Sequence, residues 1–130
     1  MICKSLKLQC IGKFGAGVVA GISSIMVATT ALATPFEGIY QPAGSNWTCN
    51  PADVGMDGGA LAVKGNAFHG VENVCELSNP TAVRGMDAVL YDAECSGEGE
   101  SYSYRVMILR NDAGIYVIQN GYASDWQSCR

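Results

Sequence analysis

Past residue 33 this chain has a single histidine, His69, and only five basic side chains. The lone imidazole removes the His-rich catalytic patterns. No His-Glu-x-x-His pair and no Gly-x-Ser-x-Gly elbow is present. The shortage of basic side chains argues against nucleic acid and anionic membrane surfaces, because clustered lysine and arginine hold both. Arg84, Arg105, Arg110 and Arg130 are scattered, and Gly97-x-Gly99 opens no helix pattern, so a phosphate or nucleotide site is unsupported. Helical periodicity is missing over any twelve-residue stretch beyond residue 33, which excludes a major helix. There is no internal repeat, no low-complexity linker and no close Cys-x-x-Cys pair of the zinc-knuckle kind.

The first quarter of the chain is different. Met1 to Gly15 carries Lys4, Lys7 and Lys13 and no acid; Ala16 to Ala33 carries no charge and ends in Ala31-Leu32-Ala33. A basic start, an apolar middle and a small-x-small end predict an export signal, residues 1–33, cleaved before Thr34. Cys10 is a poor lipidation site, since no apolar core precedes it. Removing 33 of 130 residues leaves 97, enough for one small domain, residues 34–130, with a thin core. Five basic residues then face twelve acids, a net charge of about −7. The expected location is the periplasm or the exterior, with no stable membrane span after cleavage.

Four cysteines remain: Cys49, Cys75, Cys95 and Cys129. An even number in a short exported domain reads as two disulfides, each worth roughly 2–4 kcal/mol. Cys75 with Cys95 and Cys49 with Cys129 is the preferred pairing. Cys75 and Cys95 end adjacent predicted strands, and the other bridge would anchor both ends of the domain. Sequential pairing, Cys49–Cys75 with Cys95–Cys129, is the rival.

Met86 to Gln119 organises the rest. Three apolar runs are separated by two polar, Gly-containing breaks, and in the middle run Tyr104, Val106 and Ile108 share one side. Alternation with β-branched and aromatic residues predicts a three-strand antiparallel meander. Asn111 to Gly114 is its second turn, with Gly114 free to take positive φ. Further strands are expected around Phe36–Tyr40, 60–64 and 68–77, with a break at Ser78–Thr81. Asn50-Pro51-Ala52-Asp53 suits one helical turn in a bridge-pinned loop. Tyr122 and Trp126 are expected to cover one end of the core. The fold expected is all-β: a small antiparallel barrel or sandwich of six or seven short strands, stapled by two disulfides.

Candidate chemistry is sparse. His69 reads as a surface or edge residue; as a general base or metal ligand it would need an orienting acid that no local motif supplies. Asp92 to Glu100 is the densest charge cluster, with Glu94, Glu98 and Glu100 around two glycines. It fits a solvated hairpin loop, with calcium as the competing reading, although the EF-hand spacing is absent. Paired glycosidase acids would need a cleft and rigid support that this loop lacks. No cofactor, no metal and no catalytic residue are expected. Trp47 and Trp126 lie near Cys49 and Cys129, and with Tyr122 they suggest aromatic packing around one bridge or an interaction surface beside Glu94, Glu98 and Glu100.

Gly38-x-Tyr40, Trp47-Thr48-Cys49, the mid-chain Cys75, Cys95-x-x-Glu98-Gly99 and the late Cys129 together resemble small exported four-cysteine proteins of alphaproteobacteria with no assigned activity. The Arg-Cys ending of that group is replaced here by Ser128-Cys129-Arg130. A looser likeness is to the periplasmic lysozyme inhibitors, which are disulfide-tied antiparallel barrels; their inhibitory loop motif is not placed on this chain. The functional expectation is a non-enzymatic periplasmic or secreted binding domain, its partner a basic protein or a cell-envelope component. The alternatives are an inhibitor of lysozyme or another cell-wall hydrolase, a small hydrolase using His69, and an envelope assembly factor.

Overall fold

The computed structural model describes residues 34–130 together with Met26, so the expected export signal lies outside the described residues but for that methionine. Among the described residues eight strands follow one another: β1 (Gly38–Pro42), β2 (Leu61–Lys64), β3 (Ala67–Gly70), β4 (Asn73–Ala82), β5 (Ala88–Gly97), β6 (Glu100–Arg110), β7 (Gly114–Gln119) and β8 (Tyr122–Ser128). Each pairs antiparallel with its neighbours in sequence, and β8 closes on β1 through Tyr40↔Ser128, Gln41↔Gln127 and Pro42↔Trp126. The molecule is therefore an up-and-down barrel.

The strand number corrects the expectation of six or seven. One expected strand, 68–77, is two: the chain reverses at Val71-Glu72 between β3 and β4, with Glu72 at a φ of 54°. Left-handed backbone at a glutamate leaves no glycine to signal it. The tail is also a strand, β8, rather than a cover. In addition, β4 runs through Pro80, because the register against β5 shifts between Ser78 and Thr81. That irregularity accommodates the proline, which cannot donate to a regular ladder. The helical turn at Pro51–Asp53 forms as expected, the Asn50 side chain accepting from Ala52 N at 3.0 Å.

Alternation in β6 holds: Val106 and Ile108 are buried and Tyr104 packs on the core, while Arg105 is exposed. The interior is filled by one residue in two from every strand, including Tyr40, Val63, Phe68, Leu77, Tyr91 and Val117. Trp126 lies inside and stacks on Phe68 at 4.8 Å between ring centroids. Gly114 does not take positive φ. It is buried, and a Cβ there would stand 2.2 Å from the Trp126 carbonyl oxygen, so the glycine lets β7 approach β8 closely. The turn before it is held instead by Asn111, whose side chain accepts from Ala113 N and Gly114 N.

Both bridges follow the preferred pairing, Cys49–Cys129 and Cys75–Cys95. Cys75 and Cys95 stand directly opposite each other on β4 and β5 and are buried. Cys49 ties the long β1–β2 connection to the residue after β8.

The strand order gives the barrel two unlike ends. At one lie the β3–β4, β5–β6 and β7–β8 turns and both roots of the 43–60 connection. At the other lie the β2–β3 turn, the β4–β5 loop, the β6–β7 turn and residues 34–37.

Candidate functional site

The end bearing the three hairpin turns is acidic. The β5–β6 hairpin is built from the two longest neighbouring strands and turns through Glu98-Gly99, both at positive φ (51° and 81°), a two-residue turn of the primed kind. Glu98 and Glu100 are exposed there. Glu72 occupies the β3–β4 turn, and its amide donates to the Gly55 carbonyl, which fastens the 43–60 connection to the same end. Asp53 and Asp57 flank Gly55. Glu72 thus lies beside the Glu98–Glu100 turn with no lysine or arginine in either turn, and Asp53 and Asp57 lie on the connection fastened next to them, which the Cys49–Cys129 bridge also joins to the segment bearing Arg130. Lys64, Arg84 and Arg110 lie at the opposite end, Arg105 lies midway along β6, and Arg130 follows β8.

The acidic surface continues down the outer wall. Glu76 on β4 and Glu94 on β5 are directly opposed and exposed. Like charges in that register repel, and they cost stability rather than add it. The ion pairs among the described residues are Arg105–Asp92 and Arg110–Asp87, each at 3.0 Å, so neither relieves Glu76 or Glu94. Hydrogen bonds from Asn79 and Arg105 hold the Asp92 carboxyl below its ordinary range. Asp92 is thus engaged within the wall, and the densest charge cluster of the sequence divides between a satisfied ion pair and unpartnered glutamates. Among the described residues no group of three or more His, Cys, Asp or Glu is placed to hold a metal ion.

Exposed aromatics accompany the acids. Tyr122 opens β8 beside the β7–β8 turn and is 63% exposed; Tyr102, two residues beyond Glu100, is 44% exposed and stacks on Tyr104. Of the residues expected to form an interaction surface, the structure therefore brings Glu98, Glu100 and Tyr122 to one end, with Glu94 on the adjoining wall. Trp47 is half-buried against the core, and Trp126 is 8% exposed inside the barrel. Trp126 is a packing residue and corrects its place among the surface candidates: its inward position follows from pairing with Ile115 and Pro42 once the tail is a strand. Sequence reasoning missed Tyr102, Glu72 and the Glu76–Glu94 opposition. The last was legible in principle, because a Cys75–Cys95 bridge across antiparallel strands sets residue 76 against residue 94.

His69 is half-buried on β3, between Ala62 of β2 and Val74 of β4, neither of which is an acid. Burial, and then the positive charge of Lys64, push its pKa down.

The opposite end is closed by the chain's own N-terminal segment. Phe36 is completely buried, Tyr40 donates its hydroxyl hydrogen to the Phe36 carbonyl, and Thr34 N donates to Gly65 O at 3.0 Å. Arg110 clamps the segment from outside. Its guanidinium lies 5.3 Å from the Phe36 ring centroid, donates to Pro35 O and pairs with Asp87. Burial raises the Tyr40 pKa, an effect that the nearby Arg110 charge partly offsets. Among the described residues no helix is long and apolar enough to cross a membrane.

Comparison with family models, with curated proteins and with solved structures finds no match to this chain.

Proposed function

We propose that this protein is a non-enzymatic binding domain of the periplasm or the cell exterior, and that its acidic end docks a basic protein surface. The observation that carries the reading is the concentration of Glu72, Glu98 and Glu100 in two adjoining turns that hold no lysine or arginine, with Asp53 and Asp57 on the connection fastened beside them. The unrelieved Glu76–Glu94 pair on the adjoining wall supports it. Around the closed ring of ladders no strand edge is free, so a partner on that ring is read by side chains and not by strand addition. Carboxylates steer a basic partner from a distance, and Tyr102 and Tyr122 supply the apolar contact that charge alone does not give.

The hydrolase-inhibitor reading is a special case of the same surface, since a basic lysozyme is one such partner. The His69 hydrolase reading gains no support from the half-buried imidazole between Ala62 and Val74.

The test is an association assay of the protein against a panel of basic proteins, lysozymes included, at low and physiological salt. Binding by at least one member is expected, with an on-rate that falls as salt rises. Glu98→Gln with Glu100→Gln should slow association about tenfold or more at low salt, as electrostatic steering requires. Binding that ignores both salt and these substitutions, or no binding by any member at micromolar concentration, would refute the reading. Loss of cell-wall hydrolysis in the same titration would single out the inhibitor.

A further inference from the structure

The ring of ladders is shorter than its longest strand. β5 and β6 pair without a register break from Ala88↔Leu109 to Gly97↔Glu100, whereas β6 and β7 pair only from Arg110↔Ile115 to Met107↔Ile118. Beyond that point β7 turns back through Asn120-Gly121, level with Arg105, and Glu100 to Arg105 runs on with β5 on one side alone. At the usual rise this overhang is about 20 Å long. The direction of its backbone groups follows from the other end of the strand. The Arg110 amide donates to Asp87 O, on the β5 side, at 2.9 Å, and the Asn111 amide donates to Gly114 O, on the β7 side, at 3.0 Å. Neighbouring residues of a strand send their amides to opposite edges, so in the unbroken register the backbone groups of Tyr102 and Tyr104 serve the β5 ladder. Those of Ser101 and Ser103 point to the open edge. Both serines are exposed, and among the described residues no strand pairs with β6 on that side of them. Neither a proline nor a bulge blunts this edge, two of the devices that close exposed edges to pairing.

We infer that an extended, basic segment of the partner adds as an antiparallel strand to β6 along Glu100 to Arg105, its side chains alternating between basic and apolar. The inference rests on the acidic-end reading above and names how the partner is held there. Backbone pairing supplies the contact, and the two faces of the hairpin select the side chains. On the outer face Ser101 and Ser103 are small, and Glu94 stands directly opposite Ser103 on β5. A lysine or arginine beside Ser103 crosses it to reach Glu94, which neither ion pair among the described residues engages. On the inner face Tyr102, 44% exposed, and Tyr104 are stacked and receive the apolar side chains. Glu98 and Glu100 attract the same segment at the tip, while Arg105, the basic residue of the overhang, is already paired with Asp92. A second copy fits this edge worse, because its own β6 would bring a second set of glutamates to it, and like charges across a ladder repel.

The experiment follows backbone amide exchange by NMR while the capped hexapeptide Lys-Val-Lys-Val-Lys-Val is titrated into the protein at low salt. The Ser101 and Ser103 amides should exchange freely beforehand and about tenfold more slowly or better at saturation, whereas those of Tyr102 and Tyr104 are protected from the start. In an antiparallel ladder the residues beside Ser101 and Ser103 send their own amides to β6. N-methylation of the lysines should therefore weaken the peptide about tenfold or more, and N-methylation of the valines should leave it within about twofold. Ser103→Pro removes an edge donor that the barrel does not use, so it should abolish binding while the spectrum stays folded. Two methylated peptides that bind alike, or peptide binding that survives Ser103→Pro, would overturn strand addition and leave side-chain docking at the acidic end standing. So would a basic protein that binds in the salt series while the peptide leaves Ser101 and Ser103 unprotected. Protection of these amides that grows with protein concentration and needs no peptide would overturn the occupant in favour of a second copy.

Discussion

The two ends of the barrel divide the labour of stability and charge. At the closed end, aromatic burial, a backbone anchor, a phenolic hydrogen bond and an arginine clamp converge on residues 34–37. At the turn end, carboxylates are presented without counter-charges and tyrosines are left in solvent. One end is arranged to hold the molecule together. The other accepts repulsion that a purely structural end would have no reason to keep. A small domain with a thin core can bear such a cost on one side only if the other is well closed.

Substitutions at each end test this division. Phe36→Ala should have the largest effect, about 3–5 kcal/mol of lost stability, because a completely buried ring leaves a cavity behind. A urea midpoint that barely moves would break the comparison at its stronger end. Tyr40→Phe comes next, at about 1–2 kcal/mol, since the Phe36 carbonyl loses its donor. Its pH signature is specific. The folded pKa of Tyr40 is raised above the unfolded 10.0, so its contribution is whole below pH 10 and is lost as pH rises through the higher folded value. Alkaline unfolding curves of Tyr40→Phe should therefore be flatter above pH 10 than those of the parent. The smallest effect belongs to the acidic wall. Glu94→Gln should stabilise by about 0.2–0.5 kcal/mol through relief of Glu76, most visibly at low salt. A loss of stability on that substitution would mean the carboxylate is structural, and the contrast between the ends would collapse.

How much of this was legible beforehand follows from what each element uses. The β5–β7 meander could be read because alternation and Gly-containing breaks coincide, and the Cys75–Cys95 bridge because both cysteines end adjacent runs. The β3–β4 reversal could not, since Glu72 supplies the left-handed residue where glycine would have announced it. Pro80 looked like a stop and is absorbed by a register shift. Tyr122–Ser128 carries too few apolar residues to read as a strand, and it becomes one because β1 and β7 both need a partner. Gly114 serves close approach and not the backbone handedness that its place in a turn suggests. As for the candidate surface, its acids were visible one by one. Their gathering at one end depends on strand order, which local pattern does not encode.

Among the described residues the pairing of β1 with β8 is the one ladder that joins strands not consecutive in the chain, and Cys49–Cys129 spans 80 residues across that same seam. Seven ladders can thus zip in sequence as the polypeptide is delivered, with the circle left open until the eighth strand arrives. The covalent link then acts as a latch on a finished hoop. A rearranged chain whose ends are fused and reopened at Asn120-Gly121 would move the latch's duty onto the backbone itself and leave the bridge with little to secure.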